Sequence, residues 1–218
     1  MFRSSSLAVL AVAIAAAGPA FANNIPLFNT GVDAAGNPLA NNAAETHYTL
    51  VGGGGLRVAT SANGFPIGPW LGDDSASTWI GPNTDSAMDG DVATYDYRLT
   101  FSLDGLNAAT ASIMGRWSTD NEGLDILING VSTGNSLNFD QPFTNWYDFS
   151  VNSGFVSGVN TIDFLVHNDG GPTGLRVEMT GTADAAVPEP ASWALMLGGF
   201  GMVGGAMRSR RKAAVRFA

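Results

Sequence analysis

Three observations predict an all-β fold, an antiparallel β-sandwich. Short β-prone runs recur at close spacing between turn residues through most of the 218-residue chain. Within the longer runs apolar and polar residues alternate with period two, which gives each strand one dry face and one wet face. The same stretch contains no long amphipathic helical pattern.

The first residues form a separate unit. Arg3 provides a positive start, "LAVLAVAIAAA" (7–17) an apolar core, and "AFA" (20–22) a small-x-small cleavage site. This is the layout of a secretory signal peptide spanning 1–22, with cleavage after Ala22 leaving Asn23 as the new N-terminus. Signal peptidase and the Sec translocon are the partners it implies. Residues 23–42, rich in Asn, Ala, Gly and Pro, read as a loop-rich entry with an edge strand near "IPLFNT".

The strand runs follow in order: "HYTLV", "LRVAT", "STWIG", "VATYDYRLTFSL", "TASIMGRW", "LDILIN", "NWYDFSV", "NTIDFLVHN" and "TGLRVEMTGT". In the fourth, Tyr95, Tyr97, Leu99 and Phe101 share one face, and Thr94, Asp96, Arg98 and Thr100 the other. In the last, Leu175, Val177 and Met179 alternate with Arg176, Glu178 and Thr180. "ING" at 128–130 predicts a hairpin turn, because Asn and Gly tolerate positive φ. The expected domain spans 23–184.

Charge narrows the function. Residues 23–187 hold four arginines and no lysine against eighteen acids, a net −14. Such a body repels phosphates, which argues against nucleic acid. It suits neutral glycans, divalent cations or basic partners. The chain has no cysteine, which excludes thiol catalysis and thiolate metal sites. A domain of this size buries enough core to fold without disulfides.

The segments "MGRWSTDNEGLDILINGVSTG" and "FDQPFTNWYDFSVNSGFVSGVNTIDFLVHNDGGPTGLRVEMTGTA" resemble the second half of galactose-binding-like jelly rolls. The resemblance covers roughly 110–183 and implies a jelly-roll sandwich. For the ligand it is fold-level analogy.

The other end of the chain has three parts. Val187, Pro188, Glu189 and Pro190 come first, then the apolar run 191–207, then the basic "RSRRK" with Arg208, Arg210, Arg211 and Lys212. The segment 187–212 resembles the PEP-CTERM sorting signal of Gram-negative bacteria. Two prolines hold an extended stretch that cannot donate a full set of backbone hydrogen bonds. The apolar run is expected to be a transmembrane helix, about 26 Å long at 1.5 Å per residue. The arginines after it fix that end in the cytoplasm. The resemblance implies that an exosortase recognises Pro-Glu-Pro and removes the helix. An inner-membrane-anchored precursor then becomes a cell-surface or extracellular-matrix protein, with exopolysaccharide as a candidate partner.

Catalytic chemistry has little support, so the protein is expected not to be an enzyme. His47 and His167 stand alone, with no nucleophile-elbow or zinc-protease motif around them. Acid pairs such as Asp73/Asp74 or Asp120/Glu122 suit a glycosidase only if they face each other across a cleft. A secreted hydrolase is the weakest reading.

Binding is better supported. Trp70, in "FPIGPWLGDD", is either a sugar-stacking loop indole beside Asp73 and Asp74 or a plug for the end of the core. Trp79, Trp117 and Trp146 lie in strand patterns and are expected in the core. Asp85, Asp89 and Asp91 form a candidate structural Ca²⁺ group, because hard cations take several oxygens from turn-rich loops. No other cofactor is expected. The sequence therefore points to a non-catalytic, glycan-binding surface protein, or to a structural matrix and biofilm component with no small ligand.

Overall fold

A computed structural model of the chain describes residues 22–59, 64–83, 88–186 and 192–211. The signal peptide lies outside these residues except for Ala22. So do Ala20, Asp85, Val187–Pro190 and Lys212.

Two antiparallel sheets carry the domain. In one, the strand order is β10 (Tyr147–Val151), β7 (Ser112–Asp120), β13 (Gly174–Asp184), β4 (Ile80–Gly81) and β3 (Arg57–Val58), with β1 (Ala22–Asn24) also paired to β13. In the other it is β2 (Tyr48–Leu50), β6 (Ala93–Ser102), β11 (Val159–Asn168), β8 (Glu122–Ile128) and β9 (Val131–Ser132). A short ribbon, β5 (Asp89–Gly90) with β12 (Gly171–Pro172), sits apart.

The predicted alternation forms the sandwich core. Tyr97, Leu99 and Phe101 on β6 and Ile162, Phe164 and Val166 on β11 are buried against Ile113 and Trp117 on β7 and Leu175 and Val177 on β13. The Phe164 ring lies 5.8 Å from Trp117 and 5.9 Å from Phe149, so side chains of the two sheets interdigitate. Burying a ring the size of Trp117 is worth about 4–6 kcal/mol of transfer free energy. Gly123 makes room for it, since a Cβ there would come within 2.5 Å of the indole. At the β8–β9 hairpin Asn129 and Gly130 have φ of 51° and 77°, the paired left-handed geometry of a type I′ turn.

Several expectations need correction. Residues 25–30 form no strand, and the N-terminal strand is β1, three residues earlier. Trp79 and Trp146 lie just outside the strands β4 and β10. Trp79 is buried as expected, but Trp146 is only half-buried, because it covers the outer face of its sheet. The apolar tail forms one helix, α1 (Ser192–Arg211). Among the described residues, however, no helix is long and apolar enough to cross a membrane. The reason is composition: α1 contains five glycines, and its last turns carry Arg208, Arg210 and Arg211.

Candidate functional site

The loops at one end of the sandwich, where β7 ends and β13 begins, build a second small core. Trp70 is only 7% exposed and packs with Ala59, Phe65, Trp79 and Met88. Its ring lies 4.5 Å from Trp79 and 5.4 Å from Phe65. Its indole Nε1 donates to Asp120 Oδ2 at 2.8 Å. Trp70 therefore plugs the core and is not a stacking platform in a groove, because both its faces and its N–H are used internally. Burial pushes the Asp120 carboxyl up to about 6, even though the Trp70 bond favours its charged form.

The two acids beside Trp70 are also used structurally. Asp73 accepts from the Trp79 backbone N–H at 3.2 Å. Asp74 caps the backbone N–H groups of Ala76 and Ser77 and lies 3.0 Å from Arg176 Nη2. Burial raises its pKa, but the Ala76 N–H and Arg176 outweigh that and hold the carboxyl below its ordinary value.

Arg176 faces outward on β13, where the alternation predicts a wet position, yet it is 0% exposed. The 72–77 loop folds over it. Its guanidinium donates to Ser77 Oγ at 2.9 Å and to the Gly72 carbonyl, and it lies 4.7 Å from the centre of the Trp146 ring. Burial lowers its pKa, while Asp74, Asp73 and Glu178 pull the other way and keep it charged.

Beyond this covered end, the outer face of the β10–β7–β13 sheet opens into a groove of about 750 Å³. Met114, Arg116, Asp148, Ser150, Glu178 and Thr180 line it. Arg116 donates from Nε (2.9 Å) and Nη2 (2.6 Å) to Glu178 Oε2, and its guanidinium lies 4.5 Å from the Trp146 ring centre. Ser77 Oγ donates to Glu178 Oε1. Glu178 thus joins the groove to the Arg176 network. Met114, 63% exposed, adds an apolar patch.

Sequence reasoning missed this groove. The signal was present, since Met114 and Arg116, and Glu178 and Thr180, occupy alternate outward positions on two strands. Only their pairing, Arg116 opposite Glu178, brings them together.

The candidate calcium group is not assembled by described atoms. Asp85 lies outside the described residues, and Asp89 on β5 and Asp91 just after it are exposed. The Asp89 backbone carbonyl accepts from Asn83 Nδ2, and that of Asp91 from Asn168 Nδ2 and Tyr95 Oη. Of the two histidines, His47 stacks on Phe28 at 3.6 Å and His167 lies 3.2 Å from Asp169.

Residues 186–212 match the PEP-CTERM protein-sorting motif. The chain therefore ends in a signal that implies export and exosortase processing. No curated protein matches the sequence. Among solved structures, it is similar to a CBM35 from Paenibacillus barcinonensis, with 18% identity over 62% of this chain and 92% of the other, at a TM-score of 0.34. It is also similar to a family 35 carbohydrate binding module from an environmental isolate, with 18% identity over 44% and 74% of the two chains, at a TM-score of 0.28. Similarity of that degree bears on neither the site nor the ligand.

Proposed function

We propose that the sandwich is a non-catalytic, glycan-binding cargo, processed by an exosortase from an inner-membrane-anchored precursor and then delivered to the cell surface or extracellular matrix. The groove over β10, β7 and β13 is the observation that carries this reading. It offers an open trough with charged and hydroxyl side chains at alternate strand positions and an apolar patch at Met114. Sugar recognition uses such planar hydrogen-bonding groups together with an apolar surface for the ring C–H faces. Arg116 is pre-set by its two hydrogen bonds to Glu178 Oε2, so little side-chain entropy is lost when a hydroxyl docks. The net −14 of the body favours neutral over acidic polysaccharides.

One observation favours a structural matrix component instead: much of the polar lining already bonds within the protein, as Arg116 does with Glu178. Affinity electrophoresis in gels containing neutral polysaccharides separates the two readings. A glycan-binding protein is retarded, and Arg116→Ala removes the shift while the fold, followed by far-UV circular dichroism, persists. A structural component migrates unchanged in every gel.

A further inference from the structure

We propose that Glu122, His167 and Asp169 form a binding site for a borderline divalent cation of the zinc class, at the loop end of the β11–β8 strand pair. It lies on the other sheet from the groove and does not depend on glycan binding. One donor atom from each residue, two carboxylate oxygens and an imidazole nitrogen, falls within 4.8 Å of the other two. Donors each about 2.1 Å from one tetrahedral ion stand about 3.4 Å apart, so the cluster needs to tighten by at most about 1.4 Å.

The backbone brings these residues together. His167 and Glu122 are cross-strand partners, just past a register shift between Leu165 and Val166. Asn121 then ties both segments. Its N–H donates to the His167 carbonyl at 3.0 Å, and its Oδ1 accepts from the Asp169 N–H at 2.8 Å.

Two further features point to a cation. Glu122 Oε2 is closed off from solvent and has no hydrogen-bond partner among the described residues. A carboxylate oxygen left in that state carries a desolvation cost that a bound cation removes. His167 Nδ1 lies 3.4 Å from Thr94 Oγ1, while Nε2 faces Asp169 Oδ1 at 3.2 Å. With the proton held on Nδ1 and donated to Thr94 Oγ1, the Nε2 lone pair is the ligand, the tautomer a metal-bound imidazole adopts.

The donor set selects the ion. One imidazole and two carboxylates suit zinc-like ions, whereas calcium and magnesium prefer all-oxygen shells of six or more. A cavity of about 270 Å³ bounded by Asn121, Glu122, Asp140, Gln141 and Asp169 has room for the water that completes the shell.

Titrating the chelator-treated full chain with Zn²⁺ by isothermal calorimetry tests the site, with Co²⁺ absorption in the visible as a second readout. The expected result is one ion per chain and a rise in melting temperature. His167→Ala and Asp169→Asn should each weaken binding about tenfold or more, and Asp89→Asn should leave it unchanged. Asp169 is exposed, so its variant keeps the test valid if His167→Ala fails to fold. Absence of saturable Zn²⁺ binding overturns the proposal. So does equal affinity in the Asp169 variant, or Ca²⁺ binding that displaces Zn²⁺.

Discussion

The Trp70 indole N–H and the Asp120 carboxylate meet at 2.8 Å inside the loop-end core, fifty residues apart in sequence. Trp70→Phe keeps most of the ring packing but deletes the donor. Among the described residues Asp120 Oδ1 already lacks a hydrogen-bond partner, so the variant leaves both oxygens of a buried acid without one there. Denaturant unfolding should show a loss of about 1–3 kcal/mol, the cost of stranding a buried polar group. Retardation by polysaccharide should persist at temperatures where the variant is folded. If Trp70→Phe abolished the shift without destabilising the fold, the indole would be a ligand platform after all.

Arg176 makes a second stability prediction. It is a fully buried cation held by Ser77, Gly72 and Asp74 beneath the Trp146 ring. Arg176→Met keeps the stem but takes the cation from Asp74 and the donors from Ser77 and the Gly72 carbonyl, loosening the 72–77 loop. Removing one partner of a buried ion pair costs about 3–5 kcal/mol, and the exposure of Asp74 reduces that to about 2–3 kcal/mol. Urea unfolding of the two proteins measures it. Limited proteolysis should also cut the variant first in the 72–77 loop.

How much of this was legible in the sequence depends on whether a feature is local or arises from pairing. Tyr97, Leu99 and Phe101 declare their face by alternation alone, and Asn129-Gly130 declares its turn by φ preference, so strands and hairpin could be read directly. Arg176 could not be read, because the loop that buries it is about a hundred residues away. Trp70 sits among prolines and glycine that read as surface loop, yet that loop folds inward to close the sandwich. Glu122 and His167 are ordinary residues until β11 and β8 register them side by side.

Asp96 gives a pH dependence. On the outer face of β6, Arg98 grips Asp163 through two bonds of 2.6 and 2.8 Å, leaving Asp96 Oδ1 buried and without a hydrogen-bond partner among the described residues. Burial raises the Asp96 pKa above 3.8, and the Asp163 charge adds to this against the opposing pull of Arg98. A carboxyl whose folded pKa is raised favours the folded chain fully below its unfolded pKa. That contribution disappears as pH rises through the folded value. Asp96→Asn should therefore melt higher than the parent at pH 7, by about 2–4 °C for each kcal/mol gained. The advantage should shrink as pH falls towards 3.8. A melting-temperature difference independent of pH would remove the titration of Asp96 as its cause.

The position of β1 makes the processing reading testable. Asn23 pairs with Ala183 and Asn24 with Thr182, so β1 lies beside the last residues of β13. β13 is eleven residues long, about 35 Å at strand rise, and its first residue, Gly174, pairs with Asp120 at the loop end. β1 and the last residues of β13 thus lie together, while the loop-end core and the Glu122–His167–Asp169 cluster lie at the far end. If the chain is cleaved after Ala22, Asn23 and Asn24 keep their pairing with β13 and the new N-terminus remains docked on the sheet. The strands of the sandwich end with β13 at Asp184, upstream of the proposed cleavage region. Intact mass spectrometry of the secreted protein should show an N-terminus at Asn23 and no peptide beyond the Pro-Glu-Pro region, with an unchanged melting temperature. Mature protein still ending at Ala218 would reject exosortase cleavage. A mature start several residues after Asn24 would show that β1 is dispensable to the exported fold.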